Sequence, residues 1–104
     1  MATSEDFFEY VSEQLAPVGE VSFRRMMGEY CVYYRGKTVG LICDNQLFLK
    51  PVPSVLSLFP DAQRGFPYEG SKTLMVIIDD FENTELMLQT FDALYREVPE
   101  AKRK

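Results

Sequence analysis

The residues of this sequence that could do chemistry are two adjacent arginines, a lysine near the middle of the chain and a few scattered acids and thiols. Arg24 and Arg25 precede two methionines, and Lys50 precedes a proline. Histidine is absent from all 104 residues. Without imidazole the chain cannot form Ser-His or Cys-His nucleophilic pairs or histidine-containing zinc sites. The sequence therefore contains no catalytic constellation that identifies an enzyme.

The arginine pair lies in a predicted strand, where neighbouring side chains point to opposite faces. Arg24 and Arg25 therefore cannot clamp one phosphate together unless a bulge intervenes, and Gly28 could supply a bulge or a turn. The alternative is that one arginine pairs with a surface carboxylate and the other packs on an aromatic ring. We expect Met26 and Met27 to fill the core and not to act as a pair of ligands.

The acidic residues near the end of the chain also have two interpretations. Asp79, Asp80 and Glu82 precede a predicted helix, whose N-terminus favours negative charge. A metal site there would require these side chains to converge, and the sequence does not show convergence. We therefore expect no metal at this position.

The elements that must position these residues follow from hydrophobic periodicity and capping signals. Thr3 or Ser4 can cap a first helix, and Asn83 can cap a last helix from 84 to about 98. Three or four short strands follow the first helix, a short helix spans 54–59, and "TLMVIID" predicts a strand buried on both faces. This order, α-β(3-4)-α-β(1-2)-α, predicts an α+β fold in which helices pack on an antiparallel sheet.

Two predicted hairpin turns, Arg35-Gly36 and Asp44-Asn45, set the register of the central strands. With two-residue loops, Cys31 faces Gly40, and Cys31 and Cys43 lie on opposite faces of the sheet. We therefore expect two reduced cysteines, as in a reducing cytoplasm.

The same register predicts that both faces of the sheet are apolar. One face would carry Val32, Val39, Leu41 and Phe48, and the other Ile42, Leu47 and Leu49. Because an antiparallel sheet usually keeps one face wet, either two layers cover this sheet or its second face meets another subunit. Residues 62–72 are predicted to be a loop, held to the body by Phe66 and Tyr68.

Charge and length limit the class of protein. The net charge is −5, and the only dense basic run is the terminal "AKRK", which we expect to be a solvated end. A duplex-binding protein normally carries a basic stripe, so direct nucleic-acid binding is disfavoured. The chain has the length of a single domain (1–104) and no apolar run long enough to cross a membrane. Its acidic N-terminus is unlike a signal peptide, which predicts a cytoplasmic location.

The stretch "LAPVGEVSFRRMMGEYCVYYRGKTVGLICDNQLFLK", followed by "FPY", resembles the N-terminal domain of the TfoX/Sxy competence regulators. The family pattern combines a helix end, an Arg-x-Met-Phe-Gly-like turn, a hairpin with Tyr and Gly, a Leu-Tyr-Leu-Lys-like strand and a Phe-x-Tyr loop. The matching residues are Leu15, Gly19, Arg25, Met26, Met27, Gly28, Tyr30, Gly36, Leu47, Phe48, Leu49, Lys50, Phe66 and Tyr68. Met27 and Phe48 replace the Phe and Tyr that are frequent in the family.

The resemblance implies a two-layer α+β sandwich of the secretion-chaperone-like class, without the helical C-terminal domain of full-length members. It implies no catalytic residue and no cofactor. It also implies a role in regulating DNA-uptake genes, together with a transcription factor of the cyclic-AMP receptor type, although stand-alone copies can have another role. The candidate interaction residues are Arg24, Arg25, Met26, Gly28, Tyr30, Lys50, Phe66 and Tyr68.

Three hypotheses follow from the residues and the resemblance. The first is a non-enzymatic interaction domain that works through protein contacts and forms a homodimer. The second is a direct nucleic-acid binder that uses Arg24, Arg25 and the "AKRK" end. The third is a small-molecule-binding or enzymatic domain in which Arg25 and Lys50 line a pocket and, with Tyr68, converge on a small anionic ligand. For Lys50 the alternative is a solvated charge that protects a sheet edge.

Overall fold

The computed structural model describes residues 3–99 of the chain. Within them the chain forms three α-helices, α1 (Glu5–Leu15), α2 (Pro53–Leu58) and α3 (Thr84–Glu97), and a short 3-10 turn, Ala16–Val18, follows α1. The strands are β1 (Val21–Met26), β2 (Glu29–Tyr34), β3 (Lys37–Cys43), β4 (Gln46–Leu49), β5 (Arg64–Gly65) and β6 (Met75–Ile78). No described helix is long and apolar enough to cross a membrane.

The strands form one antiparallel sheet in the order β1-β2-β3-β4-β6-β5. The prediction of an α+β fold, with helices packed on an antiparallel sheet, is confirmed. The strand predicted to be buried on both faces is β6, in which all four residues are buried. The two-residue strand β5 pairs with its outer edge.

The helix ends agree with the capping signals. Ser4 Oγ accepts a hydrogen bond from the Phe7 amide at 3.1 Å, and Asn83 Oδ1 accepts one from the Leu86 amide at 3.1 Å. Each cap satisfies an amide that has no partner inside its helix. The helix α2 begins at Pro53, one residue earlier than predicted, because proline fits the first helical position.

The C-terminus of α3 is closed by a lysine from the sheet. Lys37 Nζ donates to the carbonyl oxygens of Tyr95 at 2.7 Å and Val98 at 2.8 Å, and it lies 4.7 Å from the centre of the Tyr95 ring. A cation is favourable at the negative end of a helix dipole. Lys37 therefore fastens α3 to β3.

A bulge changes the register that the sequence predicted for β2 and β3. The pairing shifts between Val32 and Tyr33, so Cys31 lies opposite Leu41 and not Gly40. One extra residue inverts the alternation of side chains beyond it. The prediction that Cys31 and Cys43 lie on opposite faces is therefore wrong, because they share a face as diagonal neighbours; both are free thiols.

The bulge also corrects the composition of the two faces. Val32 and Val39 join the cluster on the helical side, whereas Leu41 and Phe48 lie on the other side of the sheet. The helical cluster includes Val11 of α1, Val55 of α2 and Phe91 of α3, together with Val32, Val39 and the rest of the main core. All three described helices therefore cover the same face.

The opposite face carries a smaller buried cluster, formed by Cys43, Phe48, Met75 and Ile77. The connection from β5 to β6, residues 66–74, lies over this face and is called the cover segment here. It shares a cavity with Leu41 and Met75. The sequence left two alternatives for the second apolar face, a covering layer or another subunit. The chain itself supplies a covering segment.

Candidate functional site

Two hairpin turns and the start of α1 meet at one end of the sheet, and Glu29 joins them. Its Oε1 accepts hydrogen bonds from Thr3 Oγ1 at 2.7 Å, the Thr3 amide at 3.1 Å and the Asp44 amide at 3.3 Å. Asn45 Oδ1 accepts a further bond from the Ser4 amide at 2.9 Å. These bonds fix the β1–β2 and β3–β4 turns against each other.

Four large apolar side chains are exposed near this fixed end, and they are called the exposed apolar patch here. The exposed fractions are 49% for Met26, 100% for Met27, 55% for Phe66 and 58% for Tyr68. Met26 lies opposite Glu29 in the β1–β2 pairing, and Phe66 and Tyr68 line a depression that Glu29 also lines. The patch therefore joins the first hairpin to the cover segment.

The patch corrects two expectations about packing. Met26 and Met27 do not fill the core, because they lie at the end of β1 and in the turn that follows it. Phe66 and Tyr68 do not hold the loop to the body, because more than half of each side chain is exposed. The buried residue between them, Pro67, packs inward instead.

Met27 has a backbone conformation that methionine rarely adopts. Its φ is 52° and that of Gly28 is 86°, so the pair forms a hairpin turn of the kind that favours Asn-Gly. A left-handed conformation costs a residue with a Cβ about 1–2 kcal/mol. Since the Met27 side chain is fully exposed, no packing within the described chain offsets this cost.

The other two hairpin turns also place residues with a Cβ at positive φ. Asp44, with φ of 51°, is of a type that tolerates this conformation, and the side chains of Arg35 and Asn45 make internal contacts. Arg35, with φ of 51°, pairs with Glu20 at 3.2 Å and lies 5.2 Å from the centre of the Tyr34 ring. Asn45, with φ of 58°, caps α1 through Ser4. Met27 differs from both because its side chain points only to solvent.

The remaining candidates from the first hairpin have distinct positions. Arg24 lies opposite Cys31 and Arg25 opposite Tyr30, so the two arginines occupy opposite faces, as predicted. Neither arginine forms an ion pair with a carboxylate of residues 3–99. Tyr30 is buried and stacks on Phe8 with ring centres 3.9 Å apart, which makes it part of the core.

A cavity of about 680 Å³ lies between the cover segment, β3 and the end of α3. Lys50 and Tyr68 both line it, together with Lys72, while Leu41 and Met75 form apolar wall. Two of the three residues expected to converge on a ligand, Lys50 and Tyr68, therefore line the same cavity. Arg25 is not among the lining residues, because β1 lies at the far edge of the sheet.

The strand order also decides between the two interpretations of Lys50. This residue follows β4, which lies between β3 and β6 in the interior of the sheet. It is half-buried at the cavity. Lys50 is therefore not a charge that protects a sheet edge.

The two resolved pKa shifts have structural causes. Burial, reinforced by the negative charge of Glu29, raises the pKa of the Cys43 thiol to about 11. Hydrogen bonds from the Ser54 hydroxyl and amide lower the pKa of Glu97 and cap the start of α2. Both shifts move the group away from neutral pH, so neither creates a general acid or base suited to that range.

The acidic residues before α3 belong to no group of potential metal ligands in the part of the chain that the structure describes. Within residues 3–99 no three His, Cys, Asp or Glu residues are grouped closely enough to hold an ion. Asp80 Oδ1 instead accepts a bond from the Glu82 amide at 3.4 Å. The "AKRK" run lies outside the described residues.

Two comparisons with known proteins bear on this fold and surface. The model of the TfoX N-terminal domain family matches residues 13–101. A protein of Spirochaeta aurantia, described as an uncharacterized 12.7 kDa protein in the trpE 5' region, is 38% identical over 82 residues. That alignment covers 79% of this chain and 71% of the relative. With a family match over most of its length and this α+β architecture, the chain belongs to the TfoX N-terminal domain family.

Proposed function

We propose that this chain is a non-enzymatic interaction domain that regulates DNA-uptake genes through protein contacts. The observation that carries the proposal is Met27, a fully exposed methionine held at positive φ. Its left-handed conformation lowers the stability of the fold, and no internal contact of its side chain compensates for that cost. Backbone strain of this kind clusters at binding and switch sites. The family membership supports the regulatory role.

The chemistry of the exposed apolar patch suits a protein partner. Methionine adapts its shape to different surfaces, and aromatic side chains are enriched in the centres of protein interfaces. Carboxylates of Glu29, Asp44 and Glu69 line the depression beside Phe66 and Tyr68. We therefore expect the partner to present an apolar surface with a basic rim. A component of the transcription machinery, such as a factor of the cyclic-AMP receptor type, would carry this surface.

The test is quantitative capture from a lysate of the native host with three tagged baits. The baits are the wild type, a patch variant with Met27→Ser and Phe66→Ser, and a control variant with Tyr10→Ser and Leu88→Ser. The control removes two exposed apolar side chains from the helical layer, of 39% and 40% exposure. All three should show the same far-UV circular dichroism.

The expected result is a transcription factor or RNA polymerase subunit that the wild type and the control retain and the patch variant loses. Equal retention by all three baits would contradict the assignment of the patch. Loss of the partner from both variants would show that the contact is not specific to the patch, and it would also contradict the assignment. Absence of any transcription component from the wild-type sample would contradict the regulatory role.

Association of two copies stays a prediction, and since we assign it to the same exposed apolar patch, a second copy competes there with the transcription component. Light scattering at high micromolar concentration should give the mass of a dimer for the wild type and of a monomer for the patch variant. A wild-type monomer would contradict the homodimer and leave the capture experiment unaffected.

A further inference from the structure

The cavity beneath the cover segment has the size and lining of a small-molecule site. Its volume of about 680 Å³ falls within the range of roughly 300–1,000 Å³ that is usual for ligand pockets. Leu41, Met75 and Val52 supply an apolar wall, and Val98 and Pro99 close one side. An apolar molecular body would therefore lose part of its contact with water in this open cavity.

The charge of the lining is opposite to that of the whole chain. The sequence has 16 acidic and 11 basic residues, yet the described lining contains Lys50 and Lys72 and no carboxylate. Neither lysine forms an ion pair with a carboxylate of residues 3–99. Low-dielectric walls strengthen the field of such charges inside a cleft.

The two lysines differ from the lysine that the fold uses for itself. Lys37 is bonded to two carbonyl oxygens at the end of α3, whereas no hydrogen bond from Lys50 Nζ or Lys72 Nζ to another described residue is present. Their donors are therefore open to a ligand. The Tyr68 hydroxyl can add a neutral donor, whereas the Ser71 hydroxyl already donates to the Thr73 carbonyl oxygen at 3.3 Å.

We propose that this cavity binds a small amphipathic anion. Its apolar body packs against Leu41 and Met75, and its carboxylate or phosphate head is held by Lys50 and Lys72. Ammonium groups act as point charges and do not impose the planar two-pronged geometry of arginine, so both head groups fit this chemistry. The ligand bridges the end of β4 and the cover segment, and Tyr68 belongs both to this cavity and to the exposed apolar patch.

The test is a titration of the full chain by two-dimensional amide NMR with four probes: octanoate, octyl phosphate, octanol and inorganic phosphate. Octanoate or octyl phosphate should shift amides of Leu41 and of residues 70–73, and the tighter of the two identifies the head group. Octanol and inorganic phosphate should each bind at least about tenfold more weakly, because each lacks one of the two contacts.

Two variants with the same change of charge locate the head group. Lys50→Ala with Lys72→Ala should weaken octanoate or octyl phosphate binding by about tenfold or more, as expected for hydrogen bonds to charged groups. Arg24→Ala with Arg25→Ala removes two exposed cations outside the cavity and should leave the affinity within about twofold. If the double lysine variant does not fold, Lys72→Gln alone, on the exposed cover segment, should weaken binding severalfold.

Three results would overturn the proposal. The first is the absence of shifts in Leu41 and residues 70–73 with either anion up to about 10 mM. The second is octanol binding as tightly as octanoate and octyl phosphate, which would leave the lysines without a role. The third is an equal loss of affinity in the arginine control, which would show only nonspecific attraction to a less acidic chain.

Discussion

The two sides of the sheet are covered in different ways. On one side α1, α2 and α3 bury a continuous core, in which Val11, Val55 and Phe91 are fully inaccessible to solvent. On the other side lies a smaller cluster of four buried side chains, and a nine-residue connection without helix or strand, residues 66–74, shares a cavity with one of them, Met75. The comparison indicates that the helical side stabilises the domain, while the cover side carries the open cavity and most of the exposed apolar patch.

Packing in the helical core should give the largest effect on stability. Phe91 is fully buried and lies 5.5 Å from the Tyr34 ring, so Phe91→Ala should lower the free energy of unfolding by about 3–5 kcal/mol. Tyr68→Ala on the cover side should change it by less than about 0.5 kcal/mol. Urea denaturation measures both, and equal losses would remove the distinction between the two sides.

A bonded lysine of the fold, Lys37, and a lysine of the cover segment, Lys72, extend the comparison to smaller changes in stability. Lys37→Ala leaves the carbonyl oxygens of Tyr95 and Val98 without their charged donor, so it should lower the free energy of unfolding by about 1.5–3 kcal/mol. Lys72→Ala on the cover segment should change it by less than about 0.5 kcal/mol. Thermal or urea unfolding of the two variants measures both changes. A larger loss of free energy of unfolding in Lys72→Ala than in Lys37→Ala would contradict this account.

Met27→Asn should raise stability while it weakens the partner contact. Asparagine is favoured at positive φ in this turn, so the free energy of unfolding should rise by about 1 kcal/mol. The control, Arg35→Asn, relieves the same conformation but loses the contacts with Glu20 and Tyr34, so its gain should be smaller. A Met27→Asn variant that is less stable than the wild type would show that the side chain makes an internal contribution.

The buried thiol should make the stability of the fold depend on alkaline pH. The folded pKa of Cys43 is about 11, above its ordinary value of 9.0. Its contribution is therefore complete below about pH 9 and is lost as the pH rises through about 11. The free energy of unfolding should fall more steeply over this interval in the wild type than in Cys43→Ala, and parallel curves would contradict the shift.

Much of the helical side could be predicted from local signals. Ser4, Asn83 and the turn at Arg35-Gly36 have side-chain or backbone requirements that a sequence displays directly. The bulge next to Val32 could not be predicted, because one extra residue in a strand has no distinctive composition. This single shift reversed the predicted relation of Cys31 and Cys43.

The cover side was harder to predict for another physical reason. The positions of Phe66, Tyr68 and Lys72 depend on the path of a loop across a sheet face, and hydrophobic periodicity does not encode that path. Lys72 was missed entirely, and the two aromatics were expected to point inward. Met27 could have been found by one signal, a Met-Gly pair at a hairpin turn where Asn-Gly would be usual.

Amide hydrogen exchange of the free 104-residue chain, followed by NMR, tests the division between the two sides most directly. Exchange of amides at Val32, Leu47 and Phe91 should require unfolding of the whole domain, because these residues lie in the helical core. Amides of residues 69–73 should exchange with little protection, since few hydrogen bonds hold the cover segment. Protection in residues 69–73 as strong as in β4 would contradict the account, because the cover would then belong to the same cooperative unit as the core.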